Sequence, residues 1–483
     1  MINVIKKIYF CLDYKYKKKL FLIQILLFLA AIFELITVFS VAPLIQLLSN
    51  LEILNDSSVT ITKFYIFLNI DSHSKFLKII SISVFLIFFT NFILALSTSY
   101  IIEKFAQEFG NFLKMKVFKI LSLQSWLDHS RRDLSTYVNL ITHETSRVSQ
   151  NAVLPLMNLN AKLFSGIAII IFIFIYNPKI TIICFLIFFI SYFIIFKLVK
   201  KIIDKNGIIQ SLTSQNMYKK IFETFGGIKD TILNNKQKKF YDLLYFEAKK
   251  YAQATIKIAF FRNSPKLFLE FMAFSIIILS VILTVTDNNE TNFKNALPIL
   301  AVYTFAGYKL LPVFQTIYYG LLSVRSSISA VDRIYYEIEG KKDLNFKDDI
   351  PLKKNNLVFN NKIELKNISF NYPNISRPAV KKINMEIPAN SIISIVGASG
   401  SGKSTILDII LGLIKPKIGE VFIDEKPLTP LIDHFQKKIS YVAQNIFLQN
   451  ESIKSNICFG LETHEIDLKK LEHAIEASNL NDL

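Results

Sequence analysis

Ahead of residue 323 the sequence holds six runs of roughly 20 predominantly apolar residues, each long enough to cross a bilayer as a helix. They fall near 20–48, 78–102, 153–176, 179–198, 265–286 and 293–322. No other feature restricts the fold so strongly. Lipid offers no partner to a free backbone N–H or C=O, so a run that spans must be helical. A hydrophobic share of 52%, 43 Phe and a mean hydropathy of +0.37 mark a chain too apolar for an ordinary soluble protein.

The net charge of +18 admits two explanations. One is nucleic acid binding; the other is Lys and Arg crowding the cytoplasmic loops of a membrane protein. Placement decides. The N-terminus is basic, residues 50–74 are nearly free of Lys and Arg, and the turns at 176–179 and 286–292 are short. The connections 103–152 and 199–264 are long and basic. A multi-pass protein with its N-terminus, both long connections and everything after 322 in the cytoplasm accounts for the charge, without a nucleic acid partner. Cys11, Cys184 and Cys458 share no ligand spacing, so neither metal nor disulfide is expected. Residues 1–19 mix basic and apolar side chains and suit a helix lying in the interface.

The long connections keep apolar residues at helical spacing, as in I-I-E-K-F-A-Q-E-F-G-N-F-L-K. They read as membrane helices continuing into the cytoplasm, so 20–322 forms one transmembrane domain. Residues 323–354 read as a polar linker. From 355 a different regime begins, with short alternating strands and a continuous apolar run, I-I-S-I-V at 392–396, expected to be a buried strand.

That run leads into G-A-S-G-S-G-K-S, residues 397–404, which fits G-x-x-x-x-G-K-[ST] at every fixed position. Gly397, Gly400 and Gly402 permit tight backbone turns, so that N–H groups of the loop, with Ala398, Ser399 and Ser401 between the glycines, converge on phosphate oxygens. Lys403 is placed to reach the β- and γ-phosphates and the Ser404 hydroxyl to ligate Mg²⁺. Thr405 continues a helix whose N-terminal dipole favours anions. The implied cofactors are ATP and Mg²⁺.

With this cradle placed, the C-terminal part resembles the nucleotide-binding domain of an ABC transporter. F-N-Y-P, with Tyr372, resembles the family's A-loop, where an aromatic ring stacks on adenine. I-S-Y-V-A-Q-N-I-F-L-Q-N resembles its Q-loop, which implies that Gln444 sits near Mg²⁺ and the attacking water. The transmembrane part resembles an exporter-type half transporter, F-E-T-F-G-G-I-K-D at 222–230 resembling its second coupling helix. Spans one and six look most like the subgroup that flips lipid-linked oligosaccharides. The resemblance implies a homodimer or heterodimer of half transporters in a bacterial inner (plasma) membrane, moving an amphipathic, lipid-like substrate; peptides and drugs stay open.

The sequence also departs from the family. The L-S-G-G-Q signature, the Walker B acidic pair, the D-loop and the switch histidine are not found in it. The expected fold is therefore a six-span α-helical membrane domain followed by an incomplete α/β P-loop nucleotide-binding domain. It is expected to hold nucleotide weakly and not to hydrolyse it unaided, so no catalytic residue is assigned. A non-catalytic subunit that depends on a complete partner, and a channel with a regulatory nucleotide site, are the other classes. V-F-I-D-E at 421–425 imitates a Walker B strand, but it comes only about 20 residues after Lys403, where the resemblance implies a β-hairpin before the Q-loop, so Asp424 and Glu425 are not assigned catalysis. Glu34 and Lys309, charged residues within spans, either line a polar cavity or serve helix contacts and the interface; Glu270 is expected to be solvated.

Overall fold

The computed structural model describes residues 2–49, 65, 72–176, 178–286, 290–341, 359–373, 375, 377–444 and 446–480. The chain divides into two units.

The first unit, Met1–Gln124 with Asp128–Ile350, is helical. Its principal helices are α1 (Ile2–Cys11), α2 (Tyr14–Ser49), α3 (His73–Ser122), α4 (Leu154–Tyr176), α5 (Pro178–Gly226), α6 (Gln237–Thr286), α7 (Glu290–Ser326) and α8 (Ile328–Ile338). At 50 residues α3 is about 75 Å long, against a hydrocarbon core of about 30 Å. The helix changes character along its length. Phe85, Phe89, Phe92 and Leu96 are all more than half exposed, whereas Phe105, Phe109, Leu113 and Val117 are buried at intervals of four. Water would penalise the first stretch and lipid would not; the second is an ordinary helix packing face. Among the described residues, three helical stretches are long and apolar enough to cross a membrane: Tyr14–Val41, His73–Ser122 and Leu134–Ile171. Parts of the expected spans at 265–286 and 293–322 carry side chains outside the described set.

Two π-helical stretches, Asn139–Glu144 and Val148–Val153, lead into α4. The Gly226-Gly227 pair ends α5, and a short helix, Ile228–Leu233, turns the chain toward α6. Residues 323–338 differ from the polar linker that the sequence leads one to expect. Ala330, Val331, Ile334 and Ile338 form the buried face of α8, and Val4, Ile8 and Cys11 of α1 belong to the same core. Lys7 Nζ reaches Asp332 Oδ1 at 2.7 Å, and the Phe10 and Tyr335 rings lie 5.2 Å apart. The charged residues that make this stretch look like a linker serve as contacts of the helix: Asp332 meets Lys7, Arg333 faces Glu144 at 3.6 Å and Glu337 meets Arg132 at 3.0 Å.

The second unit comprises Pro351–Leu483 together with Ser125–Leu127. Its sheet has the order β2-β1-β3-β4, from β1 (Lys362–Phe370), β2 (Val380–Pro388), β3 (Ile418–Ile423) and β4 (Lys426–Pro427), with every described pairing antiparallel. Helix α9 (Lys403–Ile410) packs Ile406, Ile409 and Ile410 into a core with Leu365, Ile368, Val421 and Ile423. Residues 392–396 do not form the expected buried strand: Ile392 is 101% and Val396 88% exposed, in backbone without regular structure. A parallel strand is held by neighbours on both sides, and among the described residues none pairs with this run.

Candidate functional site

The candidate phosphate cradle is an irregular loop that runs into α9 at Lys403, and its geometry follows from its glycines. Gly400 has φ of 78° and Gly402 of 93°, values that side-chain-bearing residues rarely adopt. A Cβ at Gly402 would fall within contact distance of the Ala379 carbonyl oxygen, which belongs to the turn leading into β2. The turn delivers the chain into α9, whose first-turn amides have no intrahelical acceptor and face the loop. Lys403 folds back over the loop, its Nζ donating to the carbonyl oxygens of Gly397 and Ala398 at 2.8 Å each. An ammonium group is thereby held over the loop near the first-turn amides of α9, an arrangement suited to a polyphosphate. The Ser404 side chain is exposed and Thr405 is buried.

Tyr372 joins the cradle through Thr405, the two hydroxyl oxygens lying 3.2 Å apart. Its ring meets Phe370 edge-on at 5.1 Å. Gln444 lies in an exposed bend and is not brought to the cradle by any hydrogen bond among the described residues. Further along α9, Asp408 Oδ2 accepts from Trp126 Nε1 at 3.3 Å, a pairing not legible from residues 282 positions apart. Burial raises the Asp408 carboxyl above its ordinary range.

Asp424 and Glu425 occupy the turn between β3 and β4 with φ of 45° and 70°, the left-handed pair a two-residue hairpin demands. The Asp424 carboxylate accepts from the amides of Asn360, Asn361 and Lys362 at 2.6, 2.8 and 2.9 Å. These bonds hold it below the usual aspartate range. Its task is to fasten the start of β1.

In the first unit, a chamber of about 630 Å³ is lined by residues of α2, α3, α4, α6 and α7. Glu34 and Lys309 both line it, together with Lys162, Arg262, Lys266 and Gln315. Glu34 Oε1 lies 3.4 Å from Lys162 Nζ, so this residue lines the cavity and also makes an interhelical pair. Glu270 pairs loosely with Lys266 at 3.8 Å. Sequence reasoning missed Lys162, Arg262 and Lys266. The available signal was three further cations in or beside expected spans, where charge is costly and seldom idle.

The sequence matches the family described as "ABC transporter transmembrane region" over residues 20–306 and the one described as "ABC transporter" over 380–483. The second match implies an ATP-binding unit. Among curated relatives, the ATP-dependent lipid A-core flippase of Ralstonia nicotianae is 23% identical over 380 residues, covering 77% of this chain and 62% of that protein. The one from Cupriavidus metallidurans is 22% identical over 382 residues, covering 77% and 61%. A sophorolipid transporter of Starmerella bombicola is 42% identical over 120 residues, 24% of this chain and 9% of that one. The chain thus spans about three fifths of the length of the flippases it matches. A solved bacterial Atm1-family ABC exporter with ATP bound superposes with a TM-score of 0.74 at 14% identity, over 97% of this chain and 78% of that one, and shares its fold. The transmembrane match alone covers more than half the sequence: the chain is a membrane protein and belongs to the ABC transporters.

Proposed function

We propose that this chain is the membrane and nucleotide-binding part of an exporter-type half transporter that moves a lipid-like amphiphile across the bilayer as a dimer. The observation that carries the proposal is a phosphate cradle on α9 in the same chain as helices too long for the bilayer alone. Six spans, with the N-terminus and the nucleotide unit in the cytoplasm, agree with the Lys and Arg distribution. In this reading the amides of residues 397–405 and the Lys403 ammonium hold the ATP phosphates, and Tyr372 stacks on the adenine. Ser404 and Gln444 ligate Mg²⁺. Bound ATP supplies the free energy for reorienting the membrane helices. The names of the flippases and of the sophorolipid transporter support a lipid-like cargo.

The test is photolabelling of the full chain in lipid vesicles with 8-azido-ATP. Lys403→Ala and Ser404→Ala should each cut labelling by about tenfold, the value of one lost charge-assisted contact of roughly 1.4 kcal/mol or more. Labelling that is unchanged in both variants would reject the cradle as the nucleotide site.

A further inference from the structure

The chamber in the first unit carries positive charge that its own carboxylates do not offset. Of the four cations lining it, Lys162 is met by Glu34 at 3.4 Å and Lys266 by Glu270 at 3.8 Å. Arg262 and Lys309 have no carboxylate partner among the described residues and meet only aromatic faces. Arg262 Cζ lies 4.5 Å from the Tyr319 ring centre, and Lys309 Nζ lies 5.9 Å from that of Phe88. Two buried donors that belong to this lining, Arg262 Nε and Gln315 Nε2, have no hydrogen-bond partner among the described residues. Buried donors left open in a folded protein call for a missing acceptor.

A second cavity, of about 360 Å³, opens among α4, α5 and α7 and is walled by apolar side chains, among them Ile167, Phe193 and Val313. Tyr318 lines both cavities. Its side chain is 3% exposed, and its hydroxyl donates to the Phe261 carbonyl oxygen at 3.4 Å. A cationic compartment and an apolar one therefore meet at a single fixed ring.

We propose that the two cavities bind one amphiphile, with a net-anionic phosphate headgroup that carries no quaternary amine on Arg262 and Lys309 and an acyl chain lying past Tyr318 in the apolar groove. The proposal rests on the transporter reading above and adds the charge of the cargo and the path of its chain. Arginine presents a planar fork matched to two phosphate oxygens, and lysine adds a mobile point charge. Stacking on Tyr319 fixes the plane of that fork. A neutral sugar would leave the surplus charge unmet, and a quaternary amine would be repelled by it. A volume of about 630 Å³ is that of a small-molecule site, so the headgroup in contact with these cations is compact.

The experiment is native mass spectrometry of the full chain in detergent without nucleotide, with dioleoyl phosphatidic acid, dioleoyl phosphatidylcholine and inorganic phosphate as probes. Phosphatidic acid should be retained about tenfold better than phosphatidylcholine, and Arg262→Gln or Lys309→Gln should reduce that preference to within about twofold. Arg262→Lys should keep part of it. Ile167→Trp, which fills the groove, should weaken dioleoyl phosphatidic acid about tenfold and leave the dihexanoyl form unchanged. Equal retention of the two dioleoyl lipids, or a preference unaltered in both glutamine variants, would overturn the proposal. So would full displacement of phosphatidic acid by inorganic phosphate, which would make this a free-anion site. Selective binding by a chain that moves no lipid would uphold this site while the carrier reading fails. Equal transport of both lipids would reject this site and leave the carrier reading standing.

Discussion

Arg147 donates through Nη2 to the carbonyl oxygen of Ser326 at 2.8 Å, joining positions 179 residues apart. The same guanidinium donates to Glu144 Oε2 at 3.1 Å, to the Ser211 hydroxyl and to the Gly207 carbonyl oxygen at 3.4 Å. Glu144, fully buried, also faces Arg333 at 3.6 Å. One buried cluster thus ties the segment before α4 to α5, to the end of α7 and to α8. Gly207 makes the approach feasible, because a Cβ there would fall within contact distance of the Ser326 carbonyl oxygen.

Removing the carboxylate from this cluster leaves two guanidinium groups without an anion. Glu144→Gln, nearly isosteric, should therefore destabilise the first unit by about 3 kcal/mol, the usual order for breaking a buried pair on one side. Adding Arg147→Met should recover part of the loss, since a neutral pair no longer demands compensation. Thermal unfolding of the single and double variants in detergent measures both. A double variant worse than the sum of the singles would contradict the assignment.

In the cradle, two glycines with similar dihedrals predict different outcomes. Gly400→Ala meets open space and suffers only the left-handed backbone penalty, about 1–2 kcal/mol. Gly402→Ala suffers that penalty and also drives a methyl group into the Ala379 carbonyl, so the loop must move. Photolabelling by 8-azido-ATP should fall close to background in Gly402→Ala and only a few-fold in Gly400→Ala. Equal loss in both would mean that sterics at Ala379 do not shape the loop.

The turn at Asp424 gives a pH-dependent prediction. Its folded-state pKa lies below the unfolded value of about 3.9. Its stabilisation is therefore complete above that value and is lost as pH falls through the folded pKa. Hydrogen exchange at the amides of Asn360, Asn361 and Lys362 should be faster in Asp424→Asn than in the wild type near pH 5, and the two should converge in stronger acid. Nucleotide labelling should be unaffected. Loss of labelling with unchanged exchange would instead place this carboxylate's role at the nucleotide.

Legibility of the fold tracked the range over which each signal is written. The tight turn into α9 was legible because G-x-x-x-x-G-K-S confines its glycines within eight residues, and the Asp424 turn because the family resemblance implies a hairpin there. Residues 392–396 misled, because an apolar run records an affinity for burial but not whether partner strands lie beside it. Helix α8 was hidden by its charged residues, Asp332, Arg333 and Glu337, whose partners lie far away in sequence, although Ala330, Val331, Ile334 and Ile338 carry helical spacing. The contacts of Arg147, and the convergence of Arg262, Lys162 and Lys309 on one chamber, depend on how whole helices pack. No local pattern encodes such distances.

Tyr372 separates two roles for one side chain. Its hydroxyl lies 3.2 Å from Thr405 Oγ1, and its ring is the group expected to stack on adenine. Tyr372→Phe removes the hydrogen bond and keeps the ring, so it should lower the stability of the second unit by about 1 kcal/mol and leave 8-azido-ATP labelling intact. Thr405→Val should cost the same, and combining the two should cost no more than either alone, because both remove one bond. Tyr372→Ala removes the ring as well and should reduce labelling several-fold. If Tyr372→Phe reduces labelling as far as Tyr372→Ala, the hydroxyl acts on the nucleotide by holding Thr405 and the first turn of α9 in place, and the stacking role falls.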